Sequence, residues 1–319
     1  MKVVIPQDIT AAGKDYLLER GYEVVVGSGK IDLESMKAQV AGADAILART
    51  APYPAEVLEA AGPQLKVIGR HGIGVDNIDV DWCTQHGIYV CFAPTSNAIS
   101  VAEHTVGMMI AVAHHIAYFD AGIRKGEWEF RNSCRSYDLQ GKTLGLVGMG
   151  RIGSMVANMC IKAFGMKVIG YDAYLPADRF PEGATKVETM EEVLKNADFV
   201  SLHVPSTPET RGSINKTTIG MMKPSAYLIN CARGDVVNID DLAECLKNGV
   251  IKGAATDVFP SEPPAKDCPL FGLDNVVMTP HSAALTQESM DRMGLHAAMG
   301  IHSVLSGEKP EWSINGAKL

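Results

Sequence analysis

Thr143-Leu144-Gly145-Leu146-Val147-Gly148-Met149-Gly150-Arg151-Ile152-Gly153 decides the fold. Its first five residues are a short, mostly apolar run, the pattern of a strand covered on both faces. Gly-x-Gly-x-x-Gly follows at once and opens a helical pattern at Ile152. In such a unit the first glycine permits a tight turn and the second lets backbone approach a pyrophosphate. The third lets helix and strand pack closely, and the helix N-terminus attracts the anion. A glycine-rich turn alone is a weak signal. Here the next strand pattern, Lys167–Tyr171, is followed by Asp172, 24 residues after Gly148. A carboxylate at that place accepts hydrogen bonds from ribose hydroxyls and repels a 2′-phosphate, so the pattern predicts NAD rather than NADP. The following Ala173-Tyr174-Leu175 adds no cation for such a phosphate.

The same alternation extends in both directions. Upstream, residues 2–6, 22–26, 45–49, 66–70 and 88–92 read as strands, and 10–20, 33–40, 54–61 and 79–86 as helices. A single long helical pattern covers about 100–123, and a polar, irregular stretch covers 125–142. After the glycine turn, strands are expected at 199–203, 226–230, 254–258 and 276–279. Helices are expected near 190–196, 216–221 and 240–248, with one last amphipathic helix at 287–306. Repeated βαβ units imply parallel sheets with helices on both faces. Two α/β domains follow, with crossings near 94–98 and 280–284 and the last helix returning to the first domain.

Composition agrees with a globular chain of two domains: 319 residues, 46% apolar and 21% charged,. A net charge of −8 and the lack of a basic stripe argue against nucleic acid and anionic membrane as partners,. The seven cysteines are scattered with no C-x-x-C pair, so no metal site is expected and the thiols suit a reducing cytoplasm,. The opening MKVVIPQDITAAG has no signal-peptide core, which agrees with that location,.

Chemistry is expected where strands of the second sheet end, since ligands of open α/β sheets bind outside the carboxyl ends of strands. Arg233 follows the strand at 226–230, Glu262 the strand at 254–258, and His281 the strand at 276–279. Hydride transfer at an alcohol carbon needs a partner for the hydroxyl proton. Histidine fits, and a carboxylate beside it fixes its tautomer and raises its pKa. An arginine fork matches a carboxylate bidentately. Each residue also has a bland reading: His281 as a core histidine, Glu262 as a solvated loop residue, Arg233 as a structural partner of Asp257 or Asp235.

Over nearly its whole length the chain resembles the D-isomer-specific 2-hydroxyacid dehydrogenase family, and within it the phosphoglycerate-dehydrogenase-like branch. The resemblance rests on Gly72-Ile73-Gly74-Val75-Asp76-Asn77-Ile78-Asp79, on Asn97 through Glu103-His104, and on Gly141-Lys142-Thr143-Leu144-Gly145 leading into the glycine turn. It rests further on His203-Val204-Pro205-Ser206-Thr207, Asn230-Cys231-Ala232-Arg233-Gly234, Asp257-Val258-Phe259 and Pro280-His281. It implies two doubly wound parallel-sheet α/β domains. A flavodoxin-like substrate domain would take 1–97 plus 285–319, and an inserted Rossmann NAD-binding domain 98–284.

The resemblance also implies roles. His281 is the general acid/base, Glu262 its orienting carboxylate, and Arg233 the clamp on substrate carboxylate and carbonyl. NAD is held by Gly148, Gly150, Arg151, Ile152, Gly153 and Asp172, by His203, Val204 and Pro205 on its far side, and by Cys231, Ala232 and Asp257 near the nicotinamide. The loop His71-Gly72-Ile73-Gly74 receives the substrate carboxylate through backbone amides, and Arg49 matches an anion-contacting position. A homodimer built largely through the nucleotide domain is implied. The short stretch after the last helix matches forms without a regulatory domain, and His71 is a less usual residue at its place.

The expected activity is NAD-dependent interconversion of a small anionic 2-hydroxy acid and its 2-oxo acid. If Arg49, Arg70 and His71 face the substrate, a second anionic group is expected on it, as in 3-phosphoglycerate. If the two arginines are surface or inter-strand pairs, it is not. Alternatives are a hydroxypyruvate/glyoxylate reductase and an NADH-sensing, corepressor-like binding protein. A formate-oxidising relative would pair its histidine with Gln, and Glu262 argues against that.

Overall fold

The computed structural model describes residues 1–316. The chain divides into two units: Met1–Ala98 together with the residues from Ala284 onward, and Ile99–Ala283.

In the first unit five strands, β1 (Lys2–Ile5), β2 (Glu23–Val26), β3 (Ala45–Ala48), β4 (Val67–Arg70) and β5 (Tyr89–Cys91), form one sheet in the order β2-β1-β3-β4-β5. All its pairings are parallel, and the order is the flavodoxin-like one. β3 is buried along its whole length because helices cover both faces,. One face packs on Met36, Val57 and Leu58 of the intervening helices. The other packs on Leu17 and on Ala297, Ala298, Ile301 and Val304 of the last helix, Gln287–Leu305. That helix seats so closely that a Cβ on Gly69 would come within 2.7 Å of the Ala297 carbonyl oxygen.

The second unit carries seven strands: β6 (Thr143–Val147), β7 (Lys167–Tyr171), β8 (Ala184–Lys186), β9 (Phe199–Leu202), β10 (Tyr227–Asn230), β11 (Gly253–Thr256) and β12 (Val276–Met278). Their order is β12-β11-β10-β9-β6-β7-β8, all parallel. Strand order reverses at β6, where the chain goes outward through β7 and β8 and returns to β9 on the other side. This is the Rossmann arrangement, and it places the glycine turn at the switch point.

Two elements differ from the sequence reading. β8 was not anticipated: it is a three-residue edge strand with no buried position, and it lacks an apolar signature. The single helix expected at 100–123 is two, Ala98–Ala113 and Ile116–Arg124, bent by 61° at a left-handed His115 (φ 52°). The break comes from a docked segment. Tyr137 donates its N–H to the Ala113 carbonyl (3.0 Å), and the Ser136 hydroxyl donates to that of His114 (3.2 Å). These donors satisfy carbonyls that a continuous helix would have paired. Among the described residues no single helix is long and apolar enough to cross a membrane.

Candidate active site

The glycine turn joins β6 to the helix Arg151–Phe164. Gly148 has φ 96°, and a Cβ on it would lie 2.6 Å from the His203 carbonyl oxygen. A Cβ on Gly153 would lie 2.2 Å from the Gly148 carbonyl oxygen, so only glycine lets strand, turn and helix meet. At Gly150 a Cβ would meet nothing within 4 Å. That open side, beside the helix N-terminus carrying Arg151 and Ile152, suits a pyrophosphate. His203 sits behind the turn: its Nε2 is 3.0 Å from Ser201 Oγ, and burial holds the ring down to about 4, so it is neutral at pH 7. Val204 follows it and also packs on Gly148; Pro205 is exposed.

Asp172 stands at the end of β7, beside the turn. Its Oδ2 accepts from Met149 N (2.9 Å) and its Oδ1 from Tyr174 N and Leu175 N (both 2.9 Å). Burial works against its charge, but these three amides and nearby Lys186 hold the carboxyl below its ordinary value. Of about four lone-pair sites on a carboxylate, three are taken, which leaves one on Oδ2 for a hydroxyl. Lys186, on β8, donates to the Leu175 carbonyl at 2.8 Å. A cation therefore does stand near Asp172, which the sequence reading missed because Lys186 lies on the unanticipated strand.

β10, β11 and β12 are adjacent and parallel, so the segments after them converge. His281 Nδ1 lies 2.6 Å from Glu262 Oε2. This bond to Glu262 raises the His281 pKa above its ordinary value of 6.5, against burial and the Arg233 charge. Burial works against the Glu262 charge, but the bond to His281, the Phe259 amide (3.1 Å) and Arg233 hold its carboxyl below the usual range. Of the three residues named from the sequence, His281 and Glu262 thus meet, and the Arg233 charge is near enough to act on both.

Arg233 is held by its own loop. Asn230 accepts from Ala232 N (3.0 Å) and donates to the Arg233 carbonyl (2.9 Å). The loop rests on the segment leading to Glu262, since a Cβ on Gly234 would overlap the Phe259 backbone. Cys231 is buried, which pushes its thiol up to about 12. Asp257 is 1% exposed and its backbone carbonyl accepts from His281 N at 2.7 Å.

In the first unit Arg49 and His71 follow the neighbouring strands β3 and β4. Arg49 donates to the Asp8 carbonyl (2.8 Å). Arg70 holds the loop after it, donating from Nε to the Gly74 carbonyl (2.7 Å) and from Nη1 to that of His71. Gly72 has φ 141°, and a Cβ on it would lie 2.9 Å from Arg70 Nη1. Ile73 and Gly74 keep N–H groups that make no hydrogen bond among the described residues. His71 is 4% exposed, and burial with the Arg49 and Arg70 charges pushes its ring down to about 4. It is neutral at pH 7 and brings no positive charge to the two arginines beside it.

The family model described as "D-isomer specific 2-hydroxyacid dehydrogenase, NAD binding domain" matches residues 106–283. The chain belongs to the D-isomer-specific 2-hydroxyacid dehydrogenase family. It is 44% identical over 301 residues to the D-3-phosphoglycerate dehydrogenase of Methanocaldococcus jannaschii, covering 94% of this chain and 56% of that protein. The chain thus spans little more than half the length of the curated relatives it matches. Its fold is similar to the TT0316 protein of Thermus thermophilus (TM-score 0.91, 35% identity, 98% and 100% of the two chains). It is also similar to the D-lactate dehydrogenase of Lactobacillus jensenii crystallised with NAD+ (TM-score 0.81, 28% identity, 99% and 100%).

Within this dehydrogenase family frame, two contributors stood in the stretch 230–234 without an assigned role. Gly234 follows Arg233 directly, and an Arg-Gly pair at a strand end was the available signal. Asn230, 3% exposed at the end of β10, staples the Arg233 loop. A buried Asn at the last position of an apolar strand could have marked it.

Proposed function

We propose that the chain is an NAD-dependent D-2-hydroxyacid dehydrogenase that interconverts a small 2-hydroxy acid and its 2-oxo acid. The carrying observation is the 2.6 Å pair of His281 Nδ1 and Glu262 Oε2 with the Arg233 charge beside it. Nicotinamide, when bound, accepts or supplies the hydride. In oxidation the neutral His281 ring takes the hydroxyl proton at Nε2; in reduction the imidazolium returns it. Glu262 holds Nδ1–H and stabilises the imidazolium. The Arg233 guanidinium orients the substrate carboxylate or carbonyl. NADH oxidation across a panel of 2-oxo acids tests the reading. His281→Ala should lose about 10²–10⁴-fold in rate, and near-wild-type turnover overturns the assignment.

Three features of the second unit support NAD as cofactor: the open face at Gly150, the close approach at Gly148 and Gly153, and the lone pair left on Asp172 Oδ2. Cys231, Ala232 and Asp257 are assigned to its nicotinamide end. Asp172 favours NAD over NADP by repelling a 2′-phosphate.

In the first unit the N–H groups of Ile73 and Gly74 are assigned to the substrate carboxylate, with His71 and Gly72 shaping the loop. Arg49 is assigned to a second anionic group, in keeping with the D-3-phosphoglycerate dehydrogenase name of the Methanocaldococcus jannaschii relative. Comparing kcat/KM for D-glycerate and 3-phosphoglycerate tests this. A preference for the phosphorylated acid that Arg49→Ala abolishes supports it, and equal values in both proteins end it.

A homodimer is proposed through the second unit, where Ile116, Ile123 and Trp128 are exposed and Tyr118 and Phe130 lie in ring contact, centroids 4.3 Å apart. Light scattering that gives a monomer mass at micromolar concentration would refute it.

A further inference from the structure

His104 lies on the helix Ala98–Ala113, at the end of the stretch Asn97–His104 that carries resemblance but no assigned role. Its Nε2 is 3.1 Å from Thr279 Oγ1 and 3.6 Å from Asp257 Oδ1. Thr279 Oγ1 is in turn 2.5 Å from Asp257 Oδ1. The direction of this chain follows from its end. Asp257 is buried among donors: Ser282 N at 2.8 Å on Oδ1, Ala283 N at 3.0 Å on Oδ2, and the Thr279 hydroxyl. A carboxylate only accepts, so Thr279 donates to it. A hydroxyl has one proton, so Thr279 Oγ1 accepts from His104 Nε2–H.

The segment so gathered around Asp257 is residues 279–283, and His281 stands in its middle at φ 50°. L-residues rarely adopt that conformation, and it persists where surroundings over-determine it. The Thr279 hydroxyl has a weaker second choice, Met108 Sδ at 4.0 Å. A donor at its oxygen keeps the proton on Asp257.

We propose that His104 is a positioning residue: by donating from Nε2 to Thr279 it holds the Thr279 hydroxyl on Asp257 and so fixes the turn that aims His281. This rests on the reading of His281 as acid/base. His104 acts through Thr279 and Asp257, and the charged groups that face His281 itself are Glu262, Asp257 and Arg233.

The test compares His104→Leu, which removes the donor, with His104→Gln, whose side-chain amide can donate from a similar distance. The full chain is used, with 2-oxo acid turnover and the His281 ring titration followed by NMR. His104→Leu should lower kcat by about tenfold or more, as expected when a partly buried network anchored on a buried carboxylate loses one member,, with KM changed little. Its His281 midpoint should fall toward 6.5, the ordinary imidazole value. His104→Gln should recover both. If His104→Leu does not fold, Thr279→Val breaks the same link and Thr279→Ser restores it, with the same readouts.

An unchanged kcat and midpoint in the Leu variant overturns the proposal. So does a loss that Gln fails to recover, because the effect would then not run through the donor. A wild-type chain that turns over no 2-oxo acid sinks the dehydrogenase reading instead. The NMR comparison still decides whether His104 controls the His281 turn.

Discussion

His281 Nδ1 and Glu262 Oε2 stand 2.6 Å apart, on segments that leave the neighbouring strands β12 and β11. The pair raises the histidine and lowers the glutamate, so the two stay oppositely charged over a wider pH range than either would alone. Oxidation needs neutral His281, so the acid limb of its kcat/KM profile is expected above 6.5, the ordinary imidazole value. In Glu262→Gln that limb should move down. A limb that stays put in the variant would show that Glu262 does not set it.

The same pair makes a small contribution to stability with a defined sign. The raised His281 contributes fully below its unfolded value, and the contribution fades as pH rises through the folded one. The depressed Glu262 contributes above the ordinary carboxylate range and loses this as pH falls through its folded value. Both side chains are partly exposed, so solvent screens the effect,. Thermal melts of wild type and Glu262→Gln should differ most between these limits and converge outside them.

Asp172 faces Lys186 beside the glycine turn. Removing the carboxylate in Asp172→Ala should raise the NADPH-to-NADH affinity ratio by about tenfold, ~1.4 kcal/mol. Adding Lys186→Ala should reverse part of that gain. Nucleotide fluorescence titration reads both, and an unchanged ratio in the single variant would remove Asp172 as the discriminator.

Gly153→Ala would place a methyl 2.2 Å from the Gly148 carbonyl oxygen. Backbone on both sides cannot yield cheaply, so a stability loss of about 1–3 kcal/mol is expected. Weakened NADH binding should accompany it. A wild-type melting temperature together with wild-type affinity would contradict the close-approach account.

Asn230→Ala strips partners from the Ala232 N–H and the Arg233 carbonyl. Unpaired groups of this kind cost about 1–3 kcal/mol when buried. Because the loop carries Arg233, KM for the 2-oxo acid should rise along with the loss in Tm. A fall in Tm with unchanged KM would mean the staple does not serve Arg233.

Much of the parallel layout was legible because strands such as β3 are buried on both faces and read as unbroken apolar runs. β8 was not, since an edge strand with half-exposed residues has no such run. The bend at His115 was hidden for another reason: its cause is a segment some twenty residues away that caps the broken turn. At the candidate site, sequence could set Arg233, Glu262 and His281 at strand ends. Their meeting depends on the order and register of β10, β11 and β12, which no single strand encodes. The neutrality of His71 likewise follows from burial between two arginines, a tertiary fact.

The core of the first unit joins Val3, Ile5 and Tyr89 to Ala297, Ile301 and Val304 of the last helix. On the ribosome, the strands of this unit must therefore wait for a helix made about two hundred or more residues later, whereas residues 99–283 are contiguous and hold all seven strands of their own sheet,. The inserted unit can complete its folding during synthesis, and the unit that encloses it closes only after the last helix has left the exit tunnel. Until then one face of the β1–β5 sheet is covered only in part, by the segment carrying Leu17, and this nascent stage is where a chaperone would find its binding surface.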